Sequence, residues 1–312
     1  MTDAEALLSS ARRPLVIGMG GGGDVVGALA TAEACRLYHG AEPVLGGVSW
    51  ERLAIDPAPG PRSLDEVEGG ERLAASVLVA DPSTRVGDVL FAESRMAGFL
   101  GAPTLLVDPH GGSAEIADGV AAAVRRMQID LTVFLDVGGD ALAHGGEPGL
   151  ASPLCDAVML AAAAKLQARG QRVLAGVFGV GCDGELTPDE VMERVAEVAA
   201  AGGLAGVRGL TAPVVERVAA AAELVPTEAS AQAIRCFRGE TGQTTIRRGR
   251  RTVQLSPLGA LTIYVDPLTA VASAARLAAA VTDAPGLEEA NDVLGALGVY
   301  TELDYEREAA AA

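Results

Sequence analysis

The stretch Pro14-Leu15-Val16-Ile17-Gly18-Met19-Gly20-Gly21-Gly22-Gly23-Asp24-Val25-Val26-Gly27-Ala28-Leu29 decides how this chain of 312 residues is read. It opens on a short apolar run, as a buried strand does, and from Asp24 an amphipathic segment continues to about His39. Glycine is needed where the backbone takes a positive φ or approaches a ligand closely. A helix N-terminus presents unpaired N–H groups and a positive dipole end to anions. The stretch predicts strand, glycine turn and helix, with Gly20, Gly21, Gly22 and Gly23 placed to hold a phosphate or carboxylate and Asp24 at or near the N-cap. A βα connection without a ligand would not need four consecutive glycines.

Working outward, strand and helix patterns alternate. Strands are expected at Glu42–Trp50, Ala75–Ala80, Pro103–Val107, Leu131–Val137 and Arg172–Val180, and helices at Ser113–Gln128, Pro153–Arg169 and Pro188–Ala201. Such alternation implies a Rossmann-like, doubly wound and mainly parallel sheet. From Leu210 the texture changes. Helical patterns at Ala212–Leu224 and Glu228–Phe237 precede two β-rich runs, Thr244–Leu255 and Ala260–Val265, which suggest a hairpin. Helices at Pro267–Val281 and Pro285–Leu297 follow, and Glu308–Ala312 is expected to fray. The expected architecture is one α/β domain over 1–312, with a core over 1–209 and an α+β extension over 210–312 packed on it.

Composition narrows the function classes. A net charge of −17 argues against nucleic acid or an anionic membrane as partner. Lys165 is the sole lysine, which excludes a Walker-type phosphate loop and disfavours Schiff-base chemistry. The cysteines at 35, 155, 182 and 236 show no CxxC spacing, so reduced thiols and no structural zinc are expected. Met1–Glu5 lacks the start of a signal peptide, and no apolar run approaches a membrane span, so a soluble, cytoplasmic protein is expected.

In a doubly wound sheet ligands sit beyond the carboxyl ends of the strands, so the loops there matter most. The first is Gly20–Asp24. The second is Trp50-Glu51-Arg52, followed by the proline-rich run to Arg62, where Arg52 and Arg62 could fix a carboxylate or phosphate. The third holds His110, and the fourth is Asp136-Val137-Gly138-Gly139-Asp140, continuing to His144, Glu147 and Ser152. The last is Gly181-Cys182-Asp183-Gly184-Glu185. Asp24, Asp136 and Asp140 would repel unless a cation offsets them, and Mg²⁺ suits such hard oxygen ligands. Glu147 or His110 would handle protons, with a solvated loop histidine as the plainer alternative. Ser152 before Pro153, and Asp156 in the first turn, read equally well as helix capping. Gly18-x-Gly20-x-x-Gly23 also fits a dinucleotide fingerprint, but Ser49 and Trp50 stand where the ribose-binding acid belongs and Glu51 comes too late, so NAD is not expected. The knot Arg247-Arg248-Gly249-Arg250-Arg251 reads as a turn with solvated charges, or as a grip for an anionic substrate or an acidic neighbour in a homo-oligomer.

Taken together, Gly20–Gly27, Trp50-Glu51-Arg52 with Asp56-Pro57 and Pro59–Arg62, Asp136–Leu142 with Ser152-Pro153-Leu154, and Thr227-Glu228-Ala229-Ser230 resemble the archaeal and actinobacterial family catalogued as domain of unknown function 1152. The resemblance implies one continuous domain, and it places His144 where such a family varies. It brings no activity with it. The residues themselves point to an enzyme acting on a small anionic metabolite, phosphorylated or nucleotide-linked, by group transfer or hydrolysis. The rival reading is a non-catalytic metabolite-binding or accessory protein using the same glycine loop.

Overall fold

The computed structural model describes residues 2–311. From the N-terminus run α1 (Ala4–Ser10), β1 (Pro14–Gly18), α2 (Asp24–His39), β2 (Val44–Val48), β3 (Glu71–Ala74) and β4 (Val77–Ala80). A two-residue pair, β5 (Arg85–Val86) and β6 (Val89–Leu90), precedes α3 (Ala92–Leu100), β7 (Thr104–Val107), α4 (Gly112–Met127), β8 (Leu131–Val137) and α5 (Pro153–Ala168). Next come β9 (Val173–Phe178), α6 (Pro188–Ala200), β10 (Leu204–Gly209), α7 (Ala212–Ala222) and α8 (Ala229–Phe237). The chain closes with β11 (Gly242–Ile246), β12 (Arg251–Leu255), β13 (Leu261–Val265), α9 (Pro267–Ser273), α10 (Arg276–Val281), α11 (Leu287–Ala296) and α12 (Glu302–Ala311).

Nine strands form one sheet in the order β10-β13-β9-β8-β1-β2-β7-β4-β3. The inner five, β9-β8-β1-β2-β7, are parallel, and they are buried along their whole length because helices cover both faces. One apolar cluster joins α2, α7 and α8 to one face, and another joins α4, α5, α6 and the later helices to the opposite face. The architecture is the expected α/β fold with a mostly parallel core. Among the described residues no helix is long and apolar enough to cross a membrane.

The extension differs from expectation in three places. Ala260–Val265 does not pair with Thr244–Leu255. That run folds on itself as the hairpin β11–β12, while β13 enters the main sheet antiparallel between β9 and β10. The segment Pro267–Val281 is two helices, with Ala274 and Ala275 wholly buried at the break. Glu308–Ala311, expected to fray, continue α12, and Ala312 lies outside the described residues.

Helix α2 crosses β8 and β9 closely at Gly27, where a Cβ would fall 2.3 Å from Val137 Cγ2 and 3.0 Å from Phe178 Cδ1. The exposed Gly98 of α3 has only Pro82 near it, at 3.8 Å. Gly27→Ala is therefore expected to destabilise by about 1–3 kcal/mol through overpacking. Gly98→Ala should instead stabilise by about 0.5–1 kcal/mol, because alanine loses less backbone entropy in a helix. Equal shifts of the urea midpoint for the two variants would contradict this packing.

Candidate functional site

The strand order reverses between β1 and β8. From β1 the chain passes through α2 to β2 on one side, and β8 later pairs with β1 on the other. A crevice opens at such a switch point, beyond the carboxyl ends of the strands.

The glycine loop forms its first wall. Gly21 and Gly22 take left-handed φ values of 73° and 57°, and the Gly22 N–H donates to the Trp50 carbonyl at 2.8 Å. The Gly20 N–H donates to Asp24 Oδ2 at 3.0 Å. A Cβ on Gly20 would lie 2.6 Å from Asp24 Oδ2 and 2.8 Å from Asp156 Oδ2. Two carboxylates thus close over bare backbone, and the loop positions acids where an open anion cradle was expected. Arg52 crosses Gly22, and its guanidinium donates to the Gly20 carbonyl at 2.8 Å.

The second wall is the end of β8. Asp136 Oδ2 accepts the Ala141 N–H at 3.2 Å. Gly138 and Gly139, at φ 131° and 128°, turn the chain back so that Asp140 stands next to the Ala141 N–H that Asp136 holds. Asp183, from the loop after β9, fills the space a side chain on Gly138 would need, since a Cβ there would fall 2.2 Å from its Cγ. Ligand oxygens of Asp24, Asp136 and Asp156 lie within 4.8 Å of one another, and those of Asp140, Asp183 and Glu185 do likewise. Asp140 therefore belongs beside Asp183, and Asp156 takes the place expected for it next to Asp24 and Asp136.

Burial and mutual repulsion raise these acids. Burial lifts Asp24 to about 6 against the pull of Arg52, and lifts Asp183, with Glu185 beside it, to about 7. Asp136, Asp140 and Asp156 are pushed well above the carboxylate range by burial first and then by neighbouring charge, from Asp183 and Asp24 on Asp136, from Asp156 and Glu185 on Asp140, and from Asp136 and Asp24 on Asp156. Asp136 Oδ1, Asp156 Oδ1 and Asp183 Oδ1 are buried without a hydrogen-bond partner. Glu185 is the exception. Its oxygens accept the Ala151 and Ser152 N–H groups at 2.7 Å each, the Ser152 hydroxyl and Arg251, and despite burial Arg251 holds it below its ordinary value.

Remote segments complete the walls. Glu302 of α12 accepts the Leu154 and Cys155 N–H groups at 3.0 and 2.8 Å, capping α5. Ser152 stands at the N-cap ahead of Pro153 and Asp156 in the first turn, as expected, but the Ser152 side chain makes no capping hydrogen bond. In the β11–β12 turn the Arg247 N–H is held by both oxygens of Glu228 at 3.0 Å. The arginine knot is not simply solvated: Arg251 pairs with Glu185, and half-buried Arg247 is lowered to about 10 by burial and by Arg52 and Arg251.

Other nominated residues are engaged elsewhere. Glu147 accepts the His144 and Gly145 N–H groups at 2.8 Å and faces Arg194. His110 pairs with Asp108 at 2.6 Å, and no crevice carboxylate is among the charges acting on it. Arg62 chelates Asp56 with two donors at 2.6 Å. Glu51 accepts the Ala92 N–H at 2.5 Å, at the start of α3. Trp50 contributes its backbone carbonyl, while its indole donates to Glu306 at 2.9 Å. Asp183 lies in the last of the converging loops and Arg247 and Arg251 in the arginine knot, but neither pattern singles them out as site residues, and nothing local marks Glu302.

Fold and crevice define a doubly wound α/β protein with an acidic switch-point site. The chain belongs to the family described as protein of unknown function (DUF1152), whose model matches residues 15–310. No curated protein and no solved structure matches it.

A carboxyl raised in the native state binds its proton more tightly there than in the unfolded chain. It stabilises below its ordinary value, and that stability is lost as pH rises through the raised value. For Asp24 and Asp183 the window runs from 3.8 to about 6 and about 7. In chelator, Asp183→Asn should melt close to the wild type at about pH 5 and above it at about pH 8. A gap that stays constant with pH would contradict the raised value.

Proposed function

We propose that this chain is a divalent-cation-dependent enzyme that acts on a small anionic metabolite, phosphorylated or nucleotide-linked, by hydrolysis or group transfer. One observation carries the reading: Asp136 Oδ1 and Asp156 Oδ1 are buried and unpartnered within reach of Asp24. An unpaired buried acceptor costs about 1–3 kcal/mol, and more when charged. Carboxylates so arranged take up a hard cation or protons.

Asp24, Asp136 and Asp156 would hold the cation, which when bound supplies Lewis-acid polarisation of a substrate oxygen. Asp140, buried beside Asp183, adds to the negative potential that draws a cation to this end of the sheet. Arg52 and Arg247 would face the anionic group, with Arg52 fixed by the Gly20 carbonyl. The Gly20 and Gly22 N–H groups are engaged by Asp24 and Trp50. The glycine loop then acts by setting Asp24 and Arg52, more than by cradling the anion.

Melting the chelator-treated protein with and without Mg²⁺ or Mn²⁺ tests the cation. Saturation at a hundredfold excess over Kd adds about 2.7 kcal/mol, an upward shift of several degrees. Asp156→Asn should abolish that shift while melting at or above the wild type in chelator. A screen of phosphate monoesters and nucleotides should yield cation-dependent turnover that Arg52→Met lowers at least tenfold. A wild-type melt indifferent to both cations would overturn the proposal, and cation-dependent binding without turnover would leave a binding protein.

A further inference from the structure

We infer that the loop after β9 supplies a second divalent-cation position, held by Asp183 and Asp140, and that the crevice is a binuclear centre for a phosphate group. The inference rests on the cation reading above and extends it.

Proximity alone would offer Asp140, Asp183 and Glu185 as one ligand set. The hydrogen bonds divide that set. Each Glu185 oxygen already takes two donors, one pair from the backbone before α5 and the other from the Ser152 hydroxyl and Arg251. Its lone pairs are engaged, and its work is to fasten β12 and the α5 entrance together. Asp183 differs. It is 5% exposed, pressed against the bare backbone of Gly138, and its Oδ1 has no donor. The nearest fixed cation, Arg251, is committed to Glu185. Asp140, on the same side, directly precedes Ala141, whose N–H Asp136 holds at 3.2 Å, so the two positions adjoin through that turn.

Charge balance points the same way. Asp24, Asp136, Asp140, Asp156 and Asp183, with Glu302 against Arg52 and Asp156, place six carboxyl groups in the crevice. Arg52 and Arg247 form no ion pair within 4.0 Å among the described residues and are the neighbouring guanidiniums left to offset them. With all six ionised, one divalent ion leaves the crevice two charges negative, which repels an anion. A second ion brings it to neutrality and removes that repulsion. Paired cations suit a phosphate whose oxygens bridge them, and fixed guanidiniums suit its remaining oxygens. The substrate class that fits is a phosphate ester or phosphoanhydride of a small metabolite.

Mn²⁺ is the probe, used with the full-length, chelator-stripped protein. Equilibrium dialysis should find two ions per chain, and electron paramagnetic resonance should show them exchange-coupled. Asp183→Asn should bind one ion with an uncoupled six-line spectrum, and inorganic phosphate should tighten Mn²⁺ binding to the wild type at least tenfold. Dialysis of the wild type reads the stoichiometry whether or not the variant folds. One ion on the wild type, lost in Asp156→Asn, would overturn the second position and leave the mononuclear enzyme standing. No bound ion at all would remove both.

Discussion

Repulsion among carboxylates gathered at the switch point is the constraint around which this molecule is built. Removing a carboxylate from water costs several kcal/mol even after relaxation, and crowding adds Coulomb repulsion in a medium that screens poorly. The fold answers with fixed donors. Gly20 N–H serves Asp24, Ala141 N–H serves Asp136, and the first turn of α5 serves Glu302. Two N-terminal helix ends, those of α2 and α5, face the same crevice and favour the acids in their first turns. These donors leave one oxygen each of Asp136, Asp156 and Asp183 unmet.

Segments far apart in the chain are needed to hold this arrangement, which explains why one sheet draws on both halves. Glu228, near the start of α8, pins the backbone of Arg247. Arg247 and Arg248 sit in the left-handed region at φ 51° and 56°, unusual for side-chain-bearing residues and sustained by that clamp. Thr227 presses on Gly23, where a Cβ would lie 2.4 Å from the threonine Cβ, so α8 and the glycine loop fit only as a pair. From the other side α12 sends Glu302 to the α5 terminus and Glu306 to the Trp50 indole and the Gly60 N–H. A protein lacking its last helix would lose both anchors of the second loop.

The parts legible in the sequence were those whose signal is local. The glycine run between an apolar strand and Asp24 located the crevice, and Asp136 with Gly138 and Gly139 marked its second wall, because strand ends and positive-φ turns leave short-range marks. Partners brought together by the sheet left none. β13 has the period of a strand, yet nothing in Leu261–Val265 says that it lies antiparallel between β9 and β10. Ser152 carries the pattern of a helix cap, but a glutamate 150 positions onward takes the α5 N–H groups and frees its hydroxyl for Glu185. Glu147 looked like a proton carrier from its place in an acidic loop, and its contact with Arg194 of α6 was invisible to spacing.

Cation ligands and a proton-sharing knot of carboxyls differ in what lies between their oxygens. Anomalous diffraction from crystals soaked in Mn²⁺ separates the two most directly. Cation ligands give a peak bonded to Asp136 Oδ1 and Asp156 Oδ1, with metal–oxygen distances of roughly 2.0–2.6 Å, the span of hard divalent ions, and water completing the shell. Carboxyl oxygens paired to one another at hydrogen-bond distance, with no anomalous signal between them at neutral pH, would contradict cation ligation.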